Sequence, residues 1–196
     1  MNYVVLDIEW NSPERKHHMI RSPSLLHGEI IQIGAVKLNE ELDEIDSFEK
    51  KVRPKHYIKV NREVQRLTGI TYDDLANEKS FEEVIEDFRS WCGQEYILLT
   101  WGPSDIEILI ENCEIYEMDP SWIPEYFDAQ LMFDDLETME GRQFSLDYAV
   151  YYFGIKGNKA HDALNDAKDT TAVIRNLDYM AWIEEERQWR AEKDTN

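Results

Sequence analysis

The chain has 196 residues, with 41 acidic side chains against 21 lysines and arginines and a formal net charge of −20. This charge excludes the long-range basic field that most nucleic-acid-binding proteins present. A hydrophobic content of 42% supports a packed core and argues against global disorder. The length predicts one domain over residues 1–196. The cysteine usage and the lack of a signal peptide or a long apolar run predict a reduced, soluble, cytoplasmic protein without membrane contact.

Three strands are predicted in the first third of the chain. Tyr3–Glu9 begins with an unbroken apolar run, and Glu29–Leu38 is apolar along nearly its whole length. Ile45–Val52 follows the polar turn Asn39–Asp43, and this pattern predicts a hairpin. The long polar segment Asn11–Gly28 between the first two strands is predicted as a loop.

After these strands, helical and strand patterns alternate. Ser80 with Glu83 forms a capping-box pattern at the start of one helix, and Gly69 ends another. Helices are predicted at Asn61–Leu67, from Ser80 through Trp91, from Ser104 onward, at Ser145–Phe153 and over Asp162–Trp189, and strands at Ile97–Trp101 and Ile123–Phe127. This order predicts an α/β fold with a mixed sheet of about five strands and helices on both faces. Residues 177–196 are predicted to be a charged helical extension of the single domain.

An acidic pair lies at the end of the first predicted strand. Because residues two apart on a strand point to the same face, the carboxylates of Asp7 and Glu9 must be neighbours. Two such groups at the edge of an apolar core repel each other unless they share a proton, face solvent or hold a hard cation between them. The strand by itself leaves these three alternatives open.

Two further acids and a histidine lie at the starts of predicted helices. Asp105 comes just after a buried strand, where sites form in open α/β sheets, although the helix dipole also favours an Asp in a first turn. His161 and Asp166 lie near the start of a later helix, where a lone His is ordinarily a cap or a surface residue. Taken singly, each residue has such an ordinary explanation.

The four acids together indicate a functional site more strongly than each does alone, because four carboxylates at apolar-to-polar junctions do not suit a hydrophobic core. Mg²⁺ and Mn²⁺ prefer oxygen ligands, so the set suits a cage for two such ions. Two ions about 4 Å apart can activate a water and stabilise the leaving oxygen in phosphodiester hydrolysis. A neutral His nearby can take the proton of the attacking water. The predicted metal ligands are Asp7, Glu9, Asp105 and Asp166.

The same residues resemble, in order along the chain, the three motifs of the DEDDh 3′–5′ exonuclease family. The motifs are Asp7-Ile8-Glu9, Asp105, and His161 followed by Asn165-Asp166. Glu29–Val36 is similar to the second strand of the family, and Leu67–Thr71 is similar to its substrate loop. The resemblance covers residues 3 to about 175. A single Asp-x-Glu pair would be a weak signal, whereas all these elements in order are specific.

This resemblance implies an RNase H-like fold and a 3′–5′ exonuclease that uses two Mg²⁺ or Mn²⁺ ions to release nucleoside 5′-monophosphates from single-stranded 3′ ends. It implies His161 as the general base, with Glu9 taking part in catalysis as well as in metal binding. A sister branch has Tyr four positions before the last Asp, and Asp162 at that position excludes that branch. Thr100–Gly102 resembles the histone-mRNA and small-RNA 3′ exonucleases, which favours RNA as substrate.

Substrate contacts are also predicted from this resemblance. The predicted contact residues are Ile8, Trp10, Leu67, Thr71, Trp101, Lys59 and Arg62. Trp10 has two alternatives, stacking on the terminal base or packing under the loop that follows it. Lys59 and Arg62 belong to the basic segment Lys50–Arg66, which contains the single acid Glu63 and is predicted to contact substrate phosphates. The alternative role of these cations is to neutralise the acids of the chain itself.

Two other functions stay open at this point. The same fold could serve as a non-catalytic scaffold for protein contacts, although a scaffold does not need four converging acids. The enzyme could instead be restricted to very short oligomers, whose binding needs little basic surface and would suit the net charge. The sequence predicts neither a protein partner nor the choice between RNA and DNA.

Overall fold

Five strands form one mixed sheet in the computed structural model, which describes residues 1–13, 27–136 and 143–193. They are β1 (Asn2–Asn11), β2 (Glu29–Leu38), β3 (Glu44–Lys51), β4 (Tyr96–Thr100) and β5 (Tyr126–Asp128). Their spatial order is β3–β2–β1–β4–β5. The pairs β1–β2 and β2–β3 are antiparallel, and the pairs β1–β4 and β4–β5 are parallel. The predicted mixed α/β sheet is confirmed, and most of the predicted loop Asn11–Gly28 lies outside the described residues.

The position of each strand in the sheet follows from its side chains. β2 is buried along its length except at Lys37, as expected for a strand with neighbours on both sides and helices on both faces. β3 lies at the sheet edge, where Phe48 is buried and the charged side chains face solvent, which discourages pairing with another chain. Asn39 accepts backbone N–H bonds in the turn between β2 and β3, so the predicted hairpin is confirmed.

Helices connect and cover the strands. They are α1 (Arg62–Thr68), α2 (Tyr72–Leu75), α3 (Phe81–Cys92), α4 (Ser104–Ile115), α5 (Ala129–Leu136), α6 (Leu146–Tyr152), α7 (Ala163–Ile174) and α8 (Tyr179–Lys193), with a short 3₁₀ helix at Pro120–Trp122. The capping box of Ser80 and Glu83 precedes α3 as predicted, and Gly69 ends α1 in the left-handed conformation. Sequence reasoning missed α2, which is a single turn, and α5, which follows β5 without a loop.

The helices lie on both faces of the sheet, as predicted. On one face, Leu6 and Ile8 of β1 pack with α3 and α4. On the other face, Val5 of β1 packs with α5, α7 and α8. Within the described ranges, every helix is too short or too polar to cross a lipid bilayer. The single domain over residues 1–196, with 177–196 as its extension, stays a prediction.

The prediction of one long helix over Asp162–Trp189 is wrong. α7 ends before the turn 175–178, and α8 begins after it. Backbone N–H groups in this turn donate to carbonyls three residues earlier, which tightens the chain as in a 3₁₀ helix. Leu177 packs on the core at the turn. The change of direction allows Tyr179 and Ile183 of α8 to be buried against the sheet, a gain that a straight helix would forgo.

Gly34 allows α7 to lie directly on the sheet. A Cβ atom at this position would lie 2.1 Å from backbone atoms of Ala163 and Leu164 at the start of α7. Gly34 is paired with Asp7 across β1 and β2. The start of α7 is therefore held next to the acidic pair of β1, and acids from the two ends of the chain meet there.

Candidate active site

β1 carries Asp7 and Glu9 on the face of the sheet that α7 covers. They alternate with Ile8, whose side chain is 2% exposed on the opposite face. The charge of Glu9 contributes to the raised pKa of Asp7, as expected for neighbouring carboxylates. The pairing register of β1 with β2 shifts between Glu9 and Trp10, and such an irregularity redirects side chains where a site is formed.

Asp105 reaches the acidic pair from the first turn of α4. Its side chain is 5% exposed, and its Oδ1 atom accepts the N–H of Ile8 at 2.9 Å. This bond joins α4 to the backbone between Asp7 and Glu9. Burial, followed by the charges of Asp105 and then Asp166, holds the pKa of Asp7 well above its ordinary range.

Asp166 reaches the same place from the first turn of α7. The N–H of Ala163 points to the Oε1 atom of Gln32 on β2 at 3.4 Å, and Gln32 is paired with Glu9 across the strands. Among the neighbouring acids, Asp166 contributes most to the raised pKa of Glu9, so the two carboxylates lie close together. Three segments that are distant in sequence thus supply the four acids.

His161 precedes α7 in the left-handed backbone conformation, with a φ angle of 60°. Its N–H donates to the Oδ2 atom of Asp166 at 2.8 Å, and the residue is exposed. One ring nitrogen of His161 and one carboxylate oxygen from each of Glu9 and Asp166 lie within 4.8 Å of one another. A solvent-facing imidazole is therefore held beside two of the acids.

The acids have raised pKa values because the site combines burial with like charges. Burial, followed by the charges of Asp166 and Asp105, raises the pKa of Glu9 from 4.5 to about 8. Burial raises the pKa of Asp105 to about 7 and that of Asp166 to about 6, although each accepts a backbone N–H that acts in the opposite direction. The charged forms of these groups destabilise one another, and a bound cation would relieve this repulsion.

The donor set fits a hard divalent cation. Carboxylate oxygens are the ligands that Mg²⁺ and Mn²⁺ prefer, and the four acids supply them from both sides of β1. Glu9, His161 and Asp166 could by themselves hold one ion. His161 is thus a candidate ligand as well as the predicted base.

The exonuclease family RNase_T matches residues 4–174, a range that contains the four acids and His161. The chain belongs to this exonuclease family. The predicted membership of an exonuclease family is thereby confirmed.

Similar proteins include bacterial DNA polymerases and a separate exonuclease. The chain is 30% identical over 147 residues to the PolC-type DNA polymerase III of Thermotoga petrophila, and the match covers 74% of this chain and 10% of that polymerase. It is 26% identical over 170 residues to the probable 3′-5′ exonuclease KapD of Bacillus subtilis, which covers 84% of this chain and 78% of KapD. The chain spans about a tenth of the length of the polymerase relatives.

Solved structures of similar fold include two exonucleases with bound nucleotides. The nuclease domain of 3′hExo, a DEDDh family member bound to rAMP, has a TM-score of 0.76 at 22% identity, covering 89% of this chain and 90% of that chain. E. coli Exonuclease I in complex with a dT13 oligonucleotide has a TM-score of 0.67 at 17% identity, covering 89% and 40%. At these identities the likeness concerns the fold, and it confirms the predicted RNase H-like architecture.

Three of the predicted substrate contacts are partly or wholly buried in the exonuclease. The side chain of Ile8 lies in the core. Trp10 is half-buried, and a Cβ atom on Gly28 would lie 2.1 Å from its ring, so one side of the indole is covered by packing. Trp101 is half-buried and donates its indole N–H to the carbonyl of Phe144 at 3.2 Å. Contact of these residues with substrate stays a prediction.

The other predicted contacts lie on α1 and beside it. Lys59 and Arg62 are exposed at the start of α1, and Leu67 is partly buried near its end. The exposed Thr71 donates its hydroxyl to Asp74 at 2.6 Å where α2 begins. The structure places these side chains along one stretch of chain, and their contact with substrate also stays a prediction.

Sequence reasoning missed the buried acid that anchors the basic segment. Glu29, the first residue of β2, is 1% exposed. Its carboxylate accepts the N–H groups of Lys55 at 2.6 Å, His56 at 2.8 Å and Tyr57 at 2.5 Å, and the hydroxyl of Tyr116 at 2.5 Å. An acid at the first position of an otherwise apolar strand was the signal that could have revealed it.

Asn11, at the end of β1, makes a second anchor for the basic segment. Its side chain is fully buried and donates to the carbonyls of Tyr57 at 2.8 Å and Lys59 at 3.1 Å. Its Oδ1 atom accepts the N–H of Asn61 at 2.8 Å. The strand that carries the acidic pair therefore also fixes the backbone from which Lys59 projects.

Asp128, at the end of β5, is a further acid that sequence reasoning missed. Its Oδ1 atom accepts the N–H groups of Gly102 and Gln130, each at 2.8 Å. Burial raises its pKa, and its charge adds to the raised pKa of Asp105. Because Asp128 ends a strand parallel to β4, its position at the carboxyl edge of the sheet was the available signal.

Proposed function

We propose that the protein is a divalent-metal-dependent 3′–5′ exonuclease that releases nucleoside 5′-monophosphates from the 3′ ends of single-stranded nucleic acid. The observation that carries this proposal is the grouping of Glu9, Asp166 and the exposed His161 within 4.8 Å, with Asp105 bonded to the backbone of Ile8 between Asp7 and Glu9. Acids that are withdrawn from water and repel one another destabilise the folded protein, and bound cations would offset this repulsion. Membership of the exonuclease family supports the same reading.

The four acids would hold two Mg²⁺ or Mn²⁺ ions, and these ions, when bound, supply activation of a water and stabilisation of the leaving oxygen. The chain itself positions the donors. Asp105 is fixed by the N–H of Ile8, and Asp166 by the N–H of His161, so neither carboxylate is free to rotate away from Glu9. This fixed geometry limits the reorganisation needed when substrate binds.

His161 is proposed to take the proton of the attacking water. Its ring is open to solvent, so the proton can pass on to bulk water after each turnover. The ring nitrogen is within 4.8 Å of carboxylate oxygens of Glu9 and Asp166, so the base lies beside the groups proposed to hold the metal. The backbone bond from His161 to Asp166 keeps the base next to the proposed ligands.

The proposed substrate is a single strand, with RNA preferred over DNA. 3′hExo was solved with rAMP, and another neighbour concerns recognition of a histone mRNA stem-loop, whereas Exonuclease I was solved with a DNA oligonucleotide. The exposed cations Lys59 and Arg62 lie on the anchored basic segment and offer contacts for phosphates upstream of the cleaved bond. The segment Thr100–Gly102, similar to the RNA-directed branch, supports RNA.

The test uses the full chain with Mg²⁺ or Mn²⁺ and matched RNA and DNA oligomers labelled at the 5′ end. Stepwise shortening from the 3′ end and release of 5′-monophosphates are expected, with RNA cut faster. His161→Ala should lower kcat by roughly 10²–10⁴-fold with Mn²⁺ binding unchanged by calorimetry. Asp105→Asn should lose both turnover and metal affinity. Equal slow degradation by wild type and both variants would show a contaminant and refute the proposal.

A restriction to very short oligomers is the second candidate, favoured by the net charge of −20. A dinucleotide needs few phosphate contacts, so an acidic surface would hinder it little. Comparing kcat/KM for dinucleotides and for oligomers of increasing length decides between the two candidates. A steep fall beyond a few nucleotides would favour the restricted enzyme, and a flat or rising profile would favour the general one. Absence of both turnover and Mn²⁺ binding would instead indicate a scaffold.

A further inference from the structure

The loop that carries His161 is tied to α7 by a buried acid outside the set of four. Asp169, on α7, is 6% exposed. Its Oδ2 atom accepts the N–H of Asn158 at 2.9 Å, and its Oδ1 atom accepts the side-chain Nδ2–H of the same residue at 2.6 Å. Both oxygens of one carboxylate are thus used to hold one loop residue, three positions before His161.

Asp169 is one of three α7 side chains that hold this loop. Asn165 donates its Nδ2–H to the carbonyl of Lys159 at 3.2 Å, and Asp166 accepts the N–H of His161 at 2.8 Å. Residues three and four apart share one side of a helix, so these side chains form a row facing the loop. Asp169 fixes the far end of the row, away from the acids that would bind metal.

The neighbouring Gly157 allows the loop to approach α7 closely. A Cβ atom there would lie 3.0 Å from the Cγ1 atom of Val150 and 3.4 Å from the Oδ2 atom of Asp169. A larger side chain would press against α6 and against the carboxylate. The contact between Asp169 and Asn158 is therefore built into the packing of α6, the loop and α7.

The loop needs such support because of the conformation of His161. A non-glycine residue at a φ angle of 60° has unfavourable backbone sterics, and such a conformation persists where its surroundings over-determine it. A hydrogen bond to a buried carboxylate is stronger than one between neutral groups. The two bonds from Asn158 to Asp169 supply this support at the entry to the strained residue.

We propose that Asp169 is a positioning residue that acts through Asn158 to hold His161 beside Glu9 and Asp166. This inference rests on the proposed role of His161 as general base. It assigns a function to an acid that touches neither substrate nor metal in the proposed mechanism. A purely structural role for Asp169 would instead lower stability without acting through His161.

The test is a double-mutant cycle in the full chain. Asp169→Ala should lower kcat by roughly ten- to hundredfold, because a base displaced by about 1 Å loses rate on that scale. KM for the oligomer and the affinity for Mn²⁺ should change less than about twofold, since the binding groups are untouched. In the background His161→Ala, the substitution at position 169 should cause no further loss, because the group it positions is gone.

A side-chain exchange provides rescue. Asp169→Asn alone offers one acceptor oxygen to two N–H donors, and should lower kcat. In Asp169→Asn combined with Asn158→Asp, the side-chain bond is restored with donor and acceptor reversed, and the backbone N–H of residue 158 donates to the amide oxygen at position 169, so most of the rate should be recovered. Asp43→Ala, an exposed acid in the turn after β2, serves as the matched control and should leave kcat unchanged.

The outcomes separate this inference from the proposed function. Equal fold-losses in kcat from Asp169→Ala with and without His161, or no loss in either background, would overturn the positioning role. If Asp169→Ala does not fold, as judged by urea unfolding, Asn158→Ala replaces it in the cycle with the same expectations. Failure of the proposed function is seen without either variant, as unchanged turnover when His161 alone is replaced.

Discussion

Two groups of carboxylates near the start of the chain have opposite surroundings. Asp7 and Glu9 are partly buried, and burial with the charges of other acids raises their pKa values. Glu29 is fully buried and accepts three backbone N–H bonds and one tyrosine hydroxyl. β1 and β2, which carry them, are paired neighbours. The two groups therefore differ most in the partners of their carboxylates.

This contrast distinguishes a carboxylate that stabilises the fold from carboxylates that are proposed to act in turnover. The carboxylate of Glu29 is hydrogen-bonded to groups that are part of the fold, so the residue ties β2 to the basic segment. At the site, burial and neighbouring acids raise the pKa values of Asp7 and Glu9, so the stability of their charged forms depends on what binds. A residue of the first kind should matter for stability and one of the second kind for turnover.

The sharpest test of this contrast is Asp7→Asn. The substitution removes one charge from the proposed metal cage, and kcat should fall by roughly 10³-fold, since loss of transition-state charge stabilisation is worth several kcal/mol. Without metal, the melting temperature should rise, because one repulsive charge is gone. Turnover with Mn²⁺ and thermal unfolding in EDTA measure the two effects. A drop in both would mean that Asp7 serves the fold as Glu29 does.

Glu29→Ala should give the opposite result. Four donors lose their acceptor inside the core, and the free energy of unfolding should fall by about 3 kcal/mol or more. The surviving folded enzyme should retain kcat on dinucleotides, because the acids are not touched. Urea unfolding compares it with Glu44→Ala, an exposed acid on β3 whose loss should change stability by less than about 0.5 kcal/mol. Similar urea-unfolding curves for Glu29→Ala and Glu44→Ala would contradict the proposed role of Glu29 in stabilising the fold.

The acids of the site should also make the stability of the metal-free protein depend on pH. A carboxyl group whose folded-state pKa is raised binds its proton more tightly in the folded protein, so its contribution is largest at low pH and is lost as pH rises through that value. Since Glu9 has a pKa of about 8 and Asp166 of about 6, the metal-free protein should lose stability between about pH 5 and pH 8. Melting temperatures measured in EDTA across this range test it.

Saturating Mg²⁺ should flatten that profile, because bound cations favour the ionised carboxylates. Glu9→Gln should remove the upper part of the loss near pH 8. A metal-free profile that rises over the same range would show that the acids are stabilised by donors in the folded state, contrary to the contrast drawn above.

The smallest expected effect is on the basic segment that Glu29 holds. Lys59→Glu combined with Arg62→Glu should raise KM for a long oligomer by about tenfold and reduce the salt dependence of binding by about one unit per lost phosphate contact. Dinucleotide hydrolysis should stay nearly unchanged, because a dinucleotide does not reach the segment. Equal losses on long and short substrates would indicate misfolding.

Much of this fold could be predicted from local patterns. The bounds of β2 were predicted to the residue, and the capping box of Ser80 placed the start of α3. The four acids were predicted as one metal-binding set from motif order; Glu9 and Asp166 lie with His161 within 4.8 Å of one another, and the set as metal ligands stays a prediction. The predictions of β2 and of the start of α3 succeed because the sequence pattern and the interactions that stabilise the element lie within a few residues of one another.

The features that were missed depend on partners far along the chain. The break between α7 and α8 follows from burial of Leu177 against the core, which helical periodicity does not report. Glu29 accepts N–H groups of the basic segment that lie 26 or more residues further along the chain. Asp169 accepts an N–H of Asn158 in the loop that leads to His161. The sequence shows where an acid occurs, but it does not show whether hydrogen-bond donors or other acids surround that residue in the fold.

The close fit of α7 on Gly34 has a consequence for how activity arises during synthesis. Asp7 leaves the ribosome well before Asp166, and the two segments that carry them come together when α7 lies on the glycine. A nascent chain that ends at α6 has two of the four carboxylates on β1 and a third on α4, but no fourth and no histidine. If the four acids and His161 act as proposed, the growing polypeptide should be inert towards nucleic acid, including the messenger being translated, until α7 has docked on β2.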